Sequence, residues 1–381
     1  MKNKVVYFDN AATTPISPKV LSEMIPWLKD GYGNPSSLYQ IGRDSKVAIE
    51  KARAQVAKAI NADPDEIFFT SGGTEANNWA ISLVPHGNYI LTSRIEHHAI
   101  LNTIKNFDES AALFFDTNKD GIVAEVDESS ADFCVFKYYP ALCTVMLVNN
   151  ELGTVQPVER LFKDFKRPGI LTHTDAVQAV GHMHVDVKEL GVDLLSMSAH
   201  KFNGPKGIGA LYVRKGTDLH PFICGGMQER GMRASTENIP NIVGMGVAIE
   251  EAVQNIDEYQ DHVYELKKYF IQCLNAERID FVQTVPLNHS GILSVRFPGI
   301  DSETLLLNLD LFGICASAGS ACNTESIEPS HVLKAIGLKD SEAYSTIRFS
   351  FGLQNNFSEI RYVVQKLKDC INVIREAGEA S

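Results

Sequence analysis

Apolar and polar positions alternate along this chain with two different periods. Over 42–61, GRDSKVAIEKARAQVAKAIN, the apolar residues Val47, Ile49, Val56 and Ile60 recur at helical spacing among good helix formers. Short apolar runs follow, separated by further helical stretches. DEIFFT (65–70) predicts a strand, GGTEANNWAISLV (72–84) a helix, NYILTS (88–93) a strand and HHAILNTIKNF (97–107) a helix. CTVMLVNNE (143–151) predicts a strand that ends in polar residues. GILTHTDA (169–176) and VDLLSMSAHK (192–201) repeat that form, and GIGALYVRK (207–215) follows. Short apolar strands alternating with helices predict an α/β fold on a parallel or mostly parallel sheet.

A long helical stretch, 239–276, leads to a segment of different character. Within 279–381, GILSVRFPG and STIRFSFG predict strands, DSETLLLNLDLFG a helix, and 357–376 a final helix. This predicts an α+β unit that the N-terminal strand joins. The expected division is a large α/β domain over 15–253 and a small α+β domain from 1–14 and 254–381. One stretch, ASAGSACNTESIEP (316–329), follows neither period. Eight of its 14 residues are Ala, Ser, Gly or Thr, and Cys322 sits in the middle.

The polar residues at strand ends carry the candidate chemistry, because open α/β sheets bind ligands at the carboxyl ends of their strands. Asn150, Asp175 and Lys201 each follow a strand, bringing an amide, a carboxylate and an amine to one rim. A lysine just past a buried strand is placed to lose water and have its pKa lowered, as Schiff-base chemistry needs; a solvated loop lysine is the alternative. Asp175, with Gln178 three residues on, suits a carboxylate that holds a protonated pyridine nitrogen; a helix cap is the alternative. TSGGTEANN (70–78) runs from strand through two glycines into a helix, and a helix N-terminus with Thr74 can cradle a phosphate. It is not a P-loop, since GxxxxGK[ST] is absent. His97 follows another strand and can stack on a planar ring or move protons, or it can be a capping histidine. His98 is adjacent, so spacing alone does not choose between them. Arg348 lies on a predicted strand, where a guanidinium fork grips a carboxylate or forms a structural ion pair.

Composition narrows the field. With 44% hydrophobic and 22% charged residues, the 381-residue chain reads as a globular enzyme. The formal charge of −12 argues against direct nucleic-acid binding. MKNKVVYFDNAATTP lacks the apolar core of a signal peptide, and no apolar run approaches the ~18 residues of a membrane helix, so a cytoplasmic protein is expected. The seven cysteines are scattered and form no CxxC pair, which argues against a disulfide framework or a metal site.

Taken together, YFDNAATTP, GNPSS, TSGGTEANN, EHHAI, VNNELGTVQP, HTDAVQAVG, SAHKFNGPKGIG, RASTEN and SAGSAC, in this order, resemble the NifS/IscS-like cysteine desulfurases of the class V aminotransferase group. The resemblance runs nearly end to end. It implies a pyridoxal-phosphate-dependent transferase of fold type I, with a mostly parallel mixed sheet in the large domain. Lys201 would form the Schiff base with pyridoxal 5′-phosphate, Asp175 would pair with the pyridine nitrogen and Gln178 would bond the ring hydroxyl. His97 would stack on the ring and help in proton transfer, and Gly73, Thr74, Ser198 and His200 would hold the phosphate. Thr236 would reach the phosphate of a partner subunit, implying a homodimer. Asn150 and Arg348 would bind the substrate carboxylate, with Asn34 nearby. Cys322 would take sulfur from L-cysteine as a persulfide, release L-alanine and pass the sulfur to an acceptor protein. Iron–sulfur scaffolds and thiolation enzymes are both candidate acceptors. A selenocysteine lyase, a small-amino-acid aminotransferase and a non-catalytic sulfur relay share much of this pattern. Two departures stand out: Tyr39 follows GNPSS where relatives carry His, and the chain stops at INVIREAGEAS without the longer tail of housekeeping members.

Overall fold

The computed structural model describes residues 5–124, 140–163, 165–166, 168–319 and 328–379. The chain opens with a two-residue strand, β1 (Val6–Tyr7), then two helices, α1 (Pro18–Lys29) and α2 (Gln40–Ala59). Strands and helices then alternate: β2 (Ile67–Thr70), α3 (Gly73–Ser82), β3 (Tyr89–Ser93), α4 (His98–Asp108) and β4 (Ala112–Phe115). After them come β5 (Pro140–Thr144), α5 (Val158–Lys163), β6 (Leu171–Asp175), α6 (Val187–Leu190), β7 (Leu194–Ser198) and β8 (Gly209–Val213).

These strands form one seven-stranded sheet in the order β2-β8-β7-β6-β5-β3-β4. Every neighbouring pair from β7 to β4 is parallel, while β8 runs antiparallel to both β2 and β7. Strands β2 to β7 therefore share one direction, and their carboxyl ends meet at one rim. β2, β7 and β8 are buried at every residue. Burial on both faces is why they read as unbroken apolar runs.

The apolar run 143–151 is a strand only to Thr144. Beyond it, Val145 and Leu147 still donate to His173 and Asp175 carbonyls on β6, at 3.2 and 2.9 Å. The Asn149 side chain then accepts from the Glu151 and Leu152 N–H groups, at 2.9 and 2.8 Å, and turns the chain.

The predicted helix 239–276 is two helices, α7 (Ile239–Gln254) and α8 (Ile256–Ala276). Asn255 breaks it: its N–H bonds to Ala252 O and its side chain to Glu251 O, competing with the helix ladder. α7 packs across α1 and α2. The approach to α2 is so close that a Cβ on Gly246 would stand 2.8 Å from Ala52 Cα.

The rest of the chain holds β9 (Val282–Gln283), β10 (Ile292–Arg296), α9 (Ser302–Asp310), β11 (Ile314–Cys315), α10 (His331–Ala335), α11 (Asp340–Ala343), β12 (Thr346–Ser350) and α12 (Phe357–Glu379). β12, β10 and β9 make an antiparallel sheet, and β1 pairs with β11. Val6 and Phe8 share a second core with Phe270, Val295, Phe349, Val363 and Leu367. The short helices α10 and α11 differ: Val332, Leu333, Ile336 and Ala343 bury themselves in the core of the large sheet. That packing carries residues 330 and 331 to the rim. Among the described residues, no helix is long and apolar enough to cross a membrane.

Candidate active site

β7 ends at Ser198, and a single tight turn, Ala199–Lys201, follows. It aims Lys201 across the rim, where Nζ donates to the carbonyls of Ala11 and Ala12 at 2.6 and 2.9 Å. The N-terminal segment that supplies those carbonyls is itself tied down. Ala11 N–H donates to Ser350 Oγ at 2.8 Å, and Thr14 Oγ1 donates to His200 O at 2.8 Å.

Asp175 ends β6 and is 5% exposed. Its carboxylate accepts from Asn77 Nδ2 at 2.6 Å and from Val177 N–H at 3.0 Å. The second bond caps a turn rather than a helix. Gln178 Nε2 donates to Ala11 O at 2.9 Å.

His97 is the N-cap of α4, and its Nδ1 accepts from Ala99 N–H at 3.0 Å. A backbone N–H only donates, so Nδ1 is bare and the neutral ring carries its proton on Nε2. Burial holds His97 below the usual histidine range, with the nearby Asp175 charge opposing. Capping and a role in the cavity are compatible.

α3 starts at Gly73 with no side-chain cap from Gly72, so its first-turn N–H groups are open to an anion. A Cβ on Gly73 would stand 2.6 Å from Val177 Cγ2. His200 Nδ1 lies 3.1 Å from Thr13 Oγ1, and burial lowers its pKa to about 4, with Lys201 adding to the effect. Arg233 donates twice to Glu75, at 2.8 and 3.0 Å, clamping the start of RASTEN against α3.

Arg348, on β12, donates from Nη1 to Asn150 O at 2.8 Å and from Nη2 to Asp9 Oδ1 at 2.9 Å. The structural ion pair thus exists, and the guanidinium still faces the cavity. Arg348 Nε and Asn150 Oδ1 are buried and have no partner among the described residues.

Lys201, Asp175, Gln178, His97, Gly73, Thr74, Ser198, His200, Asn150 and Arg348 line one cavity of about 330 Å³. Thr236 and Asn34 do not line it and are exposed; the Asn34 side chain accepts from Ser36 N–H at 2.9 Å. Cys322 lies outside the described residues. On one side of it, Ser317 exchanges two backbone bonds with Arg348, at 3.1 and 2.7 Å.

Several lining residues had no role in the sequence reading. Asn77 braces Asp175, and its place three residues after Thr74 on α3 puts both on one face. Glu151 is 2% exposed; its Oε2 accepts from Ser330 Oγ at 2.5 Å and its Oε1 has no partner among the described residues. His98 and His331 also line the cavity, with ring centroids 4.6 Å apart. His331 Nε2 donates to Glu96 O at 2.9 Å. Burial pushes the Glu96 carboxyl up to about 8, although Ser93 Oγ–H and Met146 N–H both donate to it.

The aminotransferase class-V family model matches residues 6–363. This chain belongs to the class-V aminotransferase family. It is 44% identical to the cysteine desulfurase IscS of Clostridium botulinum over 389 residues, covering 98% of this chain and 96% of that one. It is also 44% identical to the cysteine desulfurase IscS of Dictyoglomus turgidum, covering 97% and 95% of the two chains. Among solved structures, a NifS-like protein superposes with a TM-score of 0.86 at 36% identity, covering 97% of this chain and all of that one. SspA in complex with cysteine superposes with a TM-score of 0.76 at 35% identity, covering 91% and 98%. Both solved structures thus share the fold of this chain over nearly its whole length.

Proposed function

We propose that this chain is a cysteine desulfurase: it converts L-cysteine to L-alanine, takes the sulfur onto Cys322 as a persulfide, and passes it to an acceptor protein. One observation carries the reading. A buried carboxylate, a lysine amine and a half-satisfied arginine face one cavity at the carboxyl rim of a class-V sheet.

Pyridoxal phosphate fits the donor set. The uncapped N-terminus of α3, with Gly73, Thr74, Ser198 and His200, suits the phosphate. Asp175 suits the pyridine nitrogen, Gln178 and Asn150, whose Oδ1 has no partner among the described residues, suit polar ring and substrate atoms, and Lys201 suits the aldehyde. Bound there, the cofactor supplies an electron sink for charge released at the substrate Cα.

The chain's own residues do the rest. Arg348 binds the substrate carboxylate through Nε and its neighbouring edge, and Asn150 Oδ1 accepts from the amino group. Lys201 removes the α-proton. Neutral His97, with its proton on Nε2, can donate into the cavity and keeps positive charge away from Lys201. Cys322, as thiolate, attacks the substrate sulfur; a sulfur–sulfur bond forms as the carbon–sulfur bond breaks, and the carbon gains a proton to become the methyl of alanine.

The reading includes a homodimer in which Thr236 serves the partner's phosphate site, with Asn34 near the substrate carboxylate. Their exposure supports this, as do the exposed apolar residues Leu21, Ile25, Leu28, Tyr32 and Leu38 in the same stretch of chain as Asn34. A cysteine that must be a free thiol at the start of each cycle is kept so in a reducing compartment, which fits the cytoplasm. The acceptor is an iron–sulfur scaffold or a thiolation enzyme. Purified protein given L-cysteine and a reductant should release alanine and sulfide in equal amounts with no added keto acid. Alanine formed only with an added keto acid would make it an aminotransferase instead.

A further inference from the structure

Glu151 is a carboxyl group in the cavity that the reaction above leaves without work. Ser330 fixes one carboxylate oxygen, and the other is buried with no partner among the described residues. A buried carboxylate oxygen left without a donor is costly unless a ligand supplies one.

Its position says which part of the ligand. Glu151 follows Asn150, whose carbonyl oxygen holds Arg348, so it stands next to the carboxylate end of the site. It also stands where the Cys322 stretch leaves and returns. A Cβ on Gly319 would lie 3.4 Å from Glu151 Oε2 and 3.0 Å from Ser330 Cβ. Cys322 is three residues from Gly319, within about 10 Å of chain. A substrate held by its carboxylate at Arg348, with its sulfur within reach of Cys322, turns its side chain to this wall.

We propose that Glu151 forms the side-chain subsite of this desulfurase: its Oε1 accepts a hydrogen bond from the neutral thiol of L-cysteine, and its charge excludes amino acids with an anionic side chain. The inference rests on the desulfurase reading. Burial raises the Glu151 pKa, and its neighbours pull the other way without overcoming it. Ser330 donates to it from the loop before α10, and the Arg348 charge on β12 favours ionisation. His98 on α4 and His331 on α10 stay neutral near pH 7, lowered first by burial. The exclusion of anions is therefore present at high pH and fades as pH falls through that raised value.

The test compares kcat/KM for L-cysteine and L-cysteine sulfinate in cofactor-loaded wild type, E151Q and E151D. Wild type should prefer cysteine, and E151Q should shrink that preference by about tenfold or more, since a like charge is removed. E151D keeps the charge and should keep excluding the sulfinate while turning over cysteine more slowly. In wild type the preference should fall with falling pH, and in E151Q it should be flat. An unchanged preference in E151Q overturns the subsite and leaves the desulfurase reading intact. Wild type that makes no alanine from cysteine overturns the reading and the subsite together. Should E151Q not load cofactor, wild type still decides: the inhibition constant of L-cysteine sulfinate should fall by at least about threefold as pH is lowered from about 9 to about 5, the range above the ordinary carboxylate value. A value flat across that range overturns the proposal.

Discussion

Lys201 and Gln178 donate to the same oxygen, the carbonyl of Ala11, at 2.6 and 2.9 Å. The Lys201 amine is therefore positioned by a segment near the N-terminus, 190 residues away in sequence. That segment is also bonded to Ser350 of β12, so it links both cores through the site.

Lys201→Ala should leave a folded protein without the visible absorption of bound pyridoxal phosphate and without alanine production. Its melting temperature should stay within a few degrees of wild type, because the amine is part-buried and Gln178 still bonds Ala11 O. A wild-type visible spectrum in this variant would refute the assignment of Lys201.

Gly73→Ala should weaken cofactor binding by about tenfold or more while the protein stays folded. The new methyl meets Val177 Cγ2, and Val177 sits between Asp175 and Gln178, so relief of the clash moves both. Titration of the apoprotein with pyridoxal phosphate reads the effect.

Arg348→Lys should raise KM for cysteine by about tenfold or more, with a smaller effect on kcat. A lysine cannot keep the bonds to Asp9 and Asn150 and still present a fork to a carboxylate. Steady-state kinetics check it; a loss confined to kcat would argue for the ion-pair role alone.

Glu96 gives the fold a pH dependence. Its folded pKa of about 8 lies above the ordinary glutamate value of 4.5, so the native state holds a proton that the unfolded state has released. Stability from this group is full below about 4.5, declines as pH rises and is lost above about 8. Glu96→Gln mimics the protonated form and should flatten that decline. Melting temperatures across pH 5 to 9 for both proteins should diverge upward for the variant; parallel curves would contradict it.

Much of the rim was legible in the sequence because β6 and β7 are buried on both faces. An unbroken apolar strand ends abruptly, so Asp175 and Lys201 stood out at its edge. The parallel sheet and the helix–strand alternation followed from the same contrast. The break at Asn255 was not visible, since the apolar period continues through it and only the local bonds of Asn255 interrupt the helix. Glu151 and Ser330 were invisible for another reason: they are 179 residues apart and meet only because α10 packs on the large core. His331 likewise has no local signal. Asn77 was nearer to hand, one helical turn beyond Thr74.

The central claim is that sulfur from cysteine passes to Cys322, and one measurement tests it most directly. Cofactor-loaded protein is given one equivalent of L-cysteine without reductant, alanine is quantified, and the peptide carrying Cys322 is weighed by mass spectrometry. One alanine per chain should appear with the mass of one sulfur atom added at Cys322, and neither should appear in Cys322→Ala. Alanine formed at the wild-type rate by Cys322→Ala, or with no sulfur on Cys322 in wild type, would contradict the account.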